Sequence, residues 1–339
     1  MNKSKIYLFT NLITIFYLFL TTGCGLFPDS DTEPLTSPRE MTWASENLKP
    51  HNDNNWGCKF WGKSADNLYM IEQIYQQEPN LWHFDGSEWN RIDLQLTNLH
   101  LNKIYGFSDK NILLLGTRAD SRTTVMVHYD GENINITEID KDVMEGSIDS
   151  IWGTGIDNIW IKGYRKLAYF DGNKWSKVNI SEDGSEIPWS NLVGESPNNL
   201  YILTQTKNSP DINLCKFDGR NWEKNYLGKF NETHSNLMLV DGTLFSYWLS
   251  IAEFSFGVWK DFWFKNYSNV YYTCGINRNS IIAADLPDGI FHWNGSDWEK
   301  LNIPFLEPHN DHVKDIWSDG KEVFFVARTD NQIKIIRGK

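Results

Sequence analysis

A chain of 339 residues can hold two ordinary domains or one large repeat domain. Charged residues make up 22% of it and the formal net charge is −12, with no local basic stripe, which excludes a surface that tracks nucleic-acid phosphates. The 16 Trp, 19 Phe and 14 Tyr are heavy aromatic usage and require a packed interior in which most of these rings are core.

Residues 1–24 have the layout of an export signal. Lys3 and Lys5 form a basic start, residues 6–20 are mostly apolar with Thr and Asn interspersed, and the run ends in Leu20-Thr21-Thr22-Gly23-Cys24. An ordinary secretory peptide and an N-terminal membrane helix are other readings of such a run. The last five residues resemble the lipobox of bacterial lipoproteins, in which the signal is cleaved before a cysteine that carries lipid on its sulfur and its amine. Thr21 departs from that pattern, which has a branched apolar residue three places before the cysteine; Leu20 supplies one a step early. The resemblance implies a signal peptide over 1–23 and Cys24 as the lipidated mature N-terminus, held in a bacterial envelope membrane by several acyl chains. Gly25 follows the cysteine in place of Asp, which fits the outer membrane in a cell that has one. Residues 24–40, with Pro28, Pro34, Pro38, Asp29, Asp31 and Glu33, bury too little apolar area to offset ordering entropy and read as a flexible tether. A single globular domain is expected over 41–339.

In that domain a two-part phrase returns at a period of about forty residues, the mark of stacked units that bury one another's apolar faces. Its first half is a short apolar strand followed by a polar turn. Phe60-Trp61-Gly62 leads to Asp66-Asn67-Leu68-Tyr69, and Ile104-Tyr105-Gly106, Ile151-Trp152-Gly153, Leu192-Val193-Gly194, Cys274-Gly275 and Ile316-Trp317-Ser318 lead to turns of the same kind. Its second half is an aromatic residue, an Asp-Gly turn and a Trp. The copies are Phe84-Asp85-Gly86 to Trp89, Phe170-Asp171-Gly172 to Trp175, Phe217-Asp218-Gly219 to Trp222 and Trp293-Asn294-Gly295 to Trp298; Tyr129-Asp130-Gly131 lacks its Trp. Turn residues feeding β-branched and aromatic runs predict four short strands per unit. Asp-Gly suits a two-residue hairpin whose central positions both need positive φ, so these carboxylates are read as structural.

The interval between Gly194 and Gly275 is about double the others, so a degenerate unit is expected there, with strands over 237–241, 243–248, 254–259 and 262–265 and Lys260-Asp261 in its turn. The last unit has only three strands, and residues 41–48 match the missing fourth, with Trp43 first and Leu48 five places on. Pairing them with the C-terminal hairpin closes a ring and removes its open edges. The expected fold is all-β, a seven-bladed β-propeller of four-stranded antiparallel blades.

Two connections from a fourth strand to the next first strand carry a shared phrase: Pro50-His51-Asn52-Asp53 and Pro308-His309-Asn310-Asp311-His312. In a ring they are neighbours near the channel mouth, where His51, Asp53, His309, Asp311 and His312 could ligate a divalent metal or bind a polar ligand. The competing reading is a common turn solution, with Pro fixing φ and Asn and Asp capping backbone groups. Loops joining second to third strands open on the same face and carry Arg118 and Arg165, with Arg122, Lys166, Lys207 and Arg328; these suit an anionic partner or are simply solvated. Cys58, Cys215 and Cys274 fall in blades that do not adjoin and are expected as free thiols. CxxC, HExxH, GxGxxG and Gly-x-Ser-x-Gly motifs are absent from the sequence, and no cofactor is expected.

The Asp-Gly phrase resembles the Asp-box of sialidase-type propellers, although that box has one more residue between Asp and Gly and a Ser ahead. The repeat as a whole resembles bacterial surface-lipoprotein propellers over roughly 41–339. That resemblance implies a binding role, so a membrane-anchored binding or scaffold module for a protein or glycan is expected, as a monomer and, from the charge, without nucleic acid. A propeller-fold polysaccharide hydrolase or lyase is one alternative, with Asp53, Asp311, Asp285 and Asp288 as its carboxylates, and an envelope assembly factor is another.

Overall fold

The computed structural model describes residues 36–49, 55–74, 79–180, 187, 190–206, 211–229, 234–264, 269–286, 289–307, 311–328 and 332–339. They form seven four-stranded antiparallel sheets. After β1 (Trp43–Leu48), the first blade holds β2 (Asn55–Ser64), β3 (Asn67–Ile74), β4 (Asn80–Phe84) and β5 (Trp89–Ile92). The second holds β6 (Leu99–Ser108), β7 (Asn111–Arg118), β8 (Thr124–Tyr129) and β9 (Ile134–Glu138), and the third β10 (Ile148–Gly155), β11 (Asn158–Gly163), β12 (Lys166–Phe170) and β13 (Trp175–Val178). The fourth holds β14 (Val193–Ser196), β15 (Asn199–Gln205), β16 (Asp211–Phe217) and β17 (Trp222–Lys229), and the fifth β18 (His234–Val240), β19 (Thr243–Trp248), β20 (Ser250–Ser255) and β21 (Val258–Phe264). The sixth holds β22 (Asn269–Asn277), β23 (Ser280–Leu286), β24 (Gly289–Trp293) and β25 (Trp298–Lys300). The seventh combines β26 (His312–Ser318), β27 (Val323–Arg328) and β28 (Ile333–Gly338) with β1 from the other end of the sequence.

The innermost strand of each blade contacts that of the next, and β26 returns to β2, so the sheets form a closed seven-bladed β-propeller. Closure rests on β1, whose residues pair with β28 from Trp43↔Gly338 to Leu48↔Ile333. Thr42 and Lys339 extend the ladder by donating to each other's carbonyls at 2.8 and 3.0 Å. The Trp43 ring fills the place of a side chain on Gly338, where a Cβ would lie 2.6 Å from it, and meets Phe325 at 5.6 Å between centroids.

Second strands are buried on both faces because each face packs on a neighbouring blade. Leu113, Leu114 and Leu115 of β7, Ile281 to Ala284 of β23 and Val323 to Ala327 of β27 are all fully buried. Burial of one such aliphatic side chain is worth about 1.5–3 kcal/mol as an upper bound, so these runs hold the blades together.

Both halves of the repeated phrase have a packing reason. Trp61 lies over Gly106 of the next blade, and a Cβ there would be 2.6 Å from its ring. Trp152 donates from Nε1 to the Gly194 carbonyl at 2.7 Å, and Trp317 to the Gly62 carbonyl at 3.2 Å across the closure. The small residue of one blade is thus the socket for the tryptophan of the blade before it. In the second half, the aromatic residue and the Trp face each other across the third and fourth strands, as in Phe84 with Trp89 at 5.3 Å and Phe217 with Trp222 at 5.1 Å.

The turn between them differs from the expected two-residue hairpin. Phe84 pairs with Trp89, so four residues lie between, and Gly86 has φ 95° while Asp85 is not in the positive-φ region. The carboxylate supplies what the backbone lacks: Asp85 Oδ1 accepts from the Ser87 and Glu88 amides, both at 2.9 Å. Asp130, Asp171, Asp218 and Asn294 repeat the arrangement. The Glu88 amide, the Ser87 hydroxyl and the Ser87 amide hold the Asp85 carboxyl down to about 2. These acids are therefore turn caps, and the structural reading holds for a different reason than the one expected.

The fifth blade is present, but its third and fourth strands are Ser250–Ser255 and Val258–Phe264. The expected strand over 254–259 spans the actual turn, and Lys260-Asp261 lie within β21; residue 265 is outside the described set. Here Phe256 and Gly257 make a true two-residue turn with φ 52° and 81°. The guiding signal is the aromatic pair Phe254 and Trp259, five residues apart as elsewhere and 5.0 Å between centroids.

Two stability measurements check this account. Trp43→Ala should lower unfolding free energy by about 2–3 kcal/mol, since a partly buried Trp at the ring closure is removed; a loss under about 0.5 kcal/mol would mean that β1 is ornamental. Phe256 is fully exposed at positive φ, so Phe256→Asn should stabilise the fold by about 0.5–1 kcal/mol in denaturant unfolding.

Candidate functional site

The innermost strands begin on the face that carries the connections between blades and the turns between second and third strands. Near those beginnings the regular pairing with the second strand is broken by a β-bulge. It falls between Leu101 and Lys103 in β6, Ile148 and Ser150 in β10, Val270 and Tyr272 in β22, and Val313 and Asp315 in β26. A bulge inserts one residue and re-aims side chains that strict alternation would send to opposite faces. Consecutive residues thereby reach the axis of the ring: Asn102 with Lys103, Asp149 with Ser150, and Tyr271 with Tyr272.

They line a cavity of about 460 Å³ on the propeller axis to which all seven blades contribute. Lys59 comes from the first blade, Tyr105 from the second, Asn191 from the fourth approach, Asn236 and Tyr247 from the fifth, Thr273 from the sixth and Asp315 from the seventh. Polar side chains also tie neighbouring blades: Asn102 Nδ2 donates to the Ile148 carbonyl at 3.0 Å, Ser150 Oγ to that of Leu192 at 3.1 Å, and Asn191 Nδ2 to that of Leu237 at 3.1 Å.

The charges around the cavity divide into paired and unpaired. Lys59 Nζ donates to Asp315 Oδ1 at 3.2 Å and to the Lys314 carbonyl at 3.0 Å, and it lies 4.3 Å from the centre of the Tyr272 ring. Asp315 Oδ2 accepts from the Phe60 amide at 2.8 Å, which binds the seventh blade to the first. Burial works to lower the Lys59 pKa, but Asp315 and then Tyr272 outweigh it and the net shift is upward. On the other side Lys162, 1% exposed, donates to Asp149 Oδ2 at 2.7 Å; burial lowers its pKa and Asp149 opposes the change. Lys103 stands between these pairs and makes no ion pair among the described residues. Burial, followed by the charge of Lys59, lowers its pKa from the usual 10.5 to about 8, with Asp315 and Asp149 offsetting part of the effect. Burial likewise raises the hydroxyl pKa values of Tyr105, Tyr247 and Tyr272, which keeps them as neutral donors.

The residues expected from sequence lie elsewhere. Asp311 is 1% exposed and structural: its Oδ2 accepts from Lys334 Nζ at 2.7 Å and from the Glu307 amide at 2.8 Å, closing the connection into the seventh blade. His312 is exposed at the start of β26, opposite Arg328. Arg118 ion-pairs with Glu138 on its own blade, and the Arg165 guanidinium rests 5.0 Å from the Tyr164 ring in a turn. His51, Asp53 and His309 fall outside the described residues, so the neighbouring-histidine arrangement does too. Among the described residues, no group of three or more His, Cys, Asp or Glu could hold a metal ion. Cys58, Cys215 and Cys274 form no disulfide among the described residues, and burial pushes the Cys274 thiol up to about 12.

Sequence reading overlooked Lys59, Lys103, Asp149, Lys162 and Asp315. A signal existed, since adjacent polar residues interrupt otherwise apolar first strands, as Asn102-Lys103, Asp149-Ser150 and Lys314-Asp315 do. Only a bulge makes both members of such a pair point to one place.

No protein-family profile and no curated protein matches the sequence. Solved structures do match in fold. A catalytically inactive virginiamycin B lyase from Staphylococcus aureus, determined with quinupristin, superposes with a TM-score of 0.63 at 11% identity, over 87% of this chain and 99% of that one. YCF48 bound to D1 peptide gives 0.59 at 14% identity, over 87% and 94%. The extracellular domain assigned to the hybrid two-component system BT4673 from B. thetaiotaomicron gives 0.62 at 11% identity, over 86% of this chain and 39% of that one. At such identities the likeness establishes the propeller fold alone.

Lys103 makes stability pH-dependent with a definite sign. Its pKa is depressed in the folded state, so between about pH 8 and pH 10.5 the unfolded chain binds more protons and this residue's contribution to stability rises with pH. The other ionisable side chains around the cavity are present in both proteins, so the comparison with Lys103→Met reads the effect of Lys103. Urea unfolding across that window should show the wild type gaining on the variant as pH rises; a constant difference would contradict the assignment.

Proposed function

We propose that the protein is a lipid-anchored, extracytoplasmic binding module of the bacterial cell envelope, with the cavity at the propeller axis holding part of a protein or glycan partner. The observation that carries this reading is the construction of the cavity. Seven strands converge on it, bulges aim polar and aromatic side chains inward, and the walls are tied from blade to blade. A site that is rigid, partly apolar and fitted with a few directed polar groups is built for recognition.

The cavity carboxylates favour binding over glycoside hydrolysis. Asp149 and Asp315 are each held by a lysine, whereas hydrolysis by paired carboxylates requires one that keeps its proton and one that is free to attack or activate water. The fold neighbours are consistent with a propeller used for recognition: one is bound to a peptide and another is an extracellular domain.

Anchoring rests on the sequence around Cys24, with the tether expected over 24–40 already docked at its end, where Arg39 pairs with Asp297 and Glu299, and with the outer membrane as the site in a cell that has one. The net charge of −12 argues against nucleic acid as a partner. A single chain closes its own ring through β1, which supports a monomer.

Two experiments test the reading. Cells fed an alkynyl fatty acid should label the wild type and not Cys24→Ser, and the variant should leave the membrane fraction; label retained by the variant would refute the anchor. Asn236→Trp places a large side chain in the cavity, so ligands held by the wild type on combined glycan and peptide arrays should be lost. An unchanged binding pattern would move the site off the axis.

A further inference from the structure

We propose that the axial cavity binds a carboxylated sugar, a uronic-acid-type ring whose carboxylate pairs with Lys103. This deepens the binding-module reading and rests on it. Three lysines, Lys59, Lys103 and Lys162, surround the cavity with two aspartates, Asp149 and Asp315. Each aspartate already has its lysine, at 3.2 and 2.7 Å, so one positive charge is left over and it belongs to Lys103. Lys314, beside Asp315 on β26 but outside the cavity lining, also makes no ion pair among the described residues, and burial and Arg328 lower its pKa.

A buried, unmatched ammonium group weakens a fold, and the carboxylate of a bound ligand would supply the counter-charge that Lys103 lacks. The proton balance follows: the lowered lysine pKa is restored upward when a carboxylate arrives, so binding takes up protons at mildly alkaline pH, from about 8 upward. Groups facing Lys103 from every side enter this balance: Lys59 from β2, Asp149 from β10, Lys162 from β11 and Asp315 from β26.

The rest of the wall selects the ligand body. Amides and hydroxyls of Asn102, Asn236, Ser190 and Thr273 match a ring bearing several hydroxyl groups, and Tyr272 and Tyr247 offer aromatic rings for its C–H faces. A volume of about 460 Å³ admits one or two sugar rings, and the accessible wall is more polar than apolar.

The test is titration calorimetry on the full-length protein with sodium glucuronate, its neutral methyl ester, glucose and N-acetylalanine. The wild type should bind glucuronate saturably, the ester and glucose at least about tenfold more weakly, and N-acetylalanine more weakly than glucuronate. Lys103→Met should bind glucuronate at least about tenfold more weakly, while Lys103→Arg stays within about threefold. Unliganded Lys103→Met should melt at the same temperature or higher; a residue with a purely structural role would lower the melting temperature on removal. The proposal falls if glucuronate does not bind, if acid and ester bind equally, if Lys103→Met binds like the wild type, or if N-acetylalanine is preferred. Should array ligands still be lost in Asn236→Trp while any of these results holds, the binding module stands and only the carboxylated-sugar assignment is overturned.

Discussion

Pairing of β1 with β28 is the constraint on which the rest of the molecule depends. Without it the seventh blade would have three strands, an open edge would face solvent, and the first and last blades would be joined only by the contacts between their own strands. Contacts across that junction show how much hangs on it. Asp315 reaches the Phe60 amide and Lys59, Trp317 reaches the Gly62 carbonyl, and Phe84 packs edge-on against Phe324 at 5.7 Å. The first of these is part of the cavity wall, so closure of the ring and construction of the site are one physical event.

Structural and functional charges are sorted by position in the blade. Acids in the outer turns cap backbone amides, and Asp311 holds a connection by pairing with Lys334. Histidines on third strands serve packing: His83 stacks on Tyr69 at 4.3 Å and meets Asn67 at 2.9 Å, and His128 meets Asn111 at 3.2 Å. The inner strands, bulged near their beginnings, deliver most of the ionisable groups to the shared space, and Lys162 of β11 and Tyr247 of β19 join them from second strands. A propeller has this freedom because its stability resides in the second and third strands and in the sockets between blades, which leaves the axis open to variation.

The fold was legible in the sequence because its packing devices are local and repeated. Trp61 over Gly106 and Phe84 against Trp89 each use a few residues at fixed spacing, and every copy reinforces the reading. The fifth blade was harder, since Phe256-Gly257 replaced the capped turn and moved two strands by several residues, although the pair Phe254 and Trp259 kept the spacing. The site was less legible. Histidine and arginine on loops attract attention by residue type, whereas Asn102-Lys103 and Asp149-Ser150 look like ordinary interruptions of a strand until a bulge turns both toward the axis.

Native-state hydrogen exchange at the ring closure tests the central claim most directly. Amides of residues 43–48 that bond to β28 should exchange only through global unfolding, with protection equal to that of β7 and β27 in the blade cores. Fast exchange of this segment while those core strands remain protected would show that the ring stays together without its N-terminal strand, and would contradict the account.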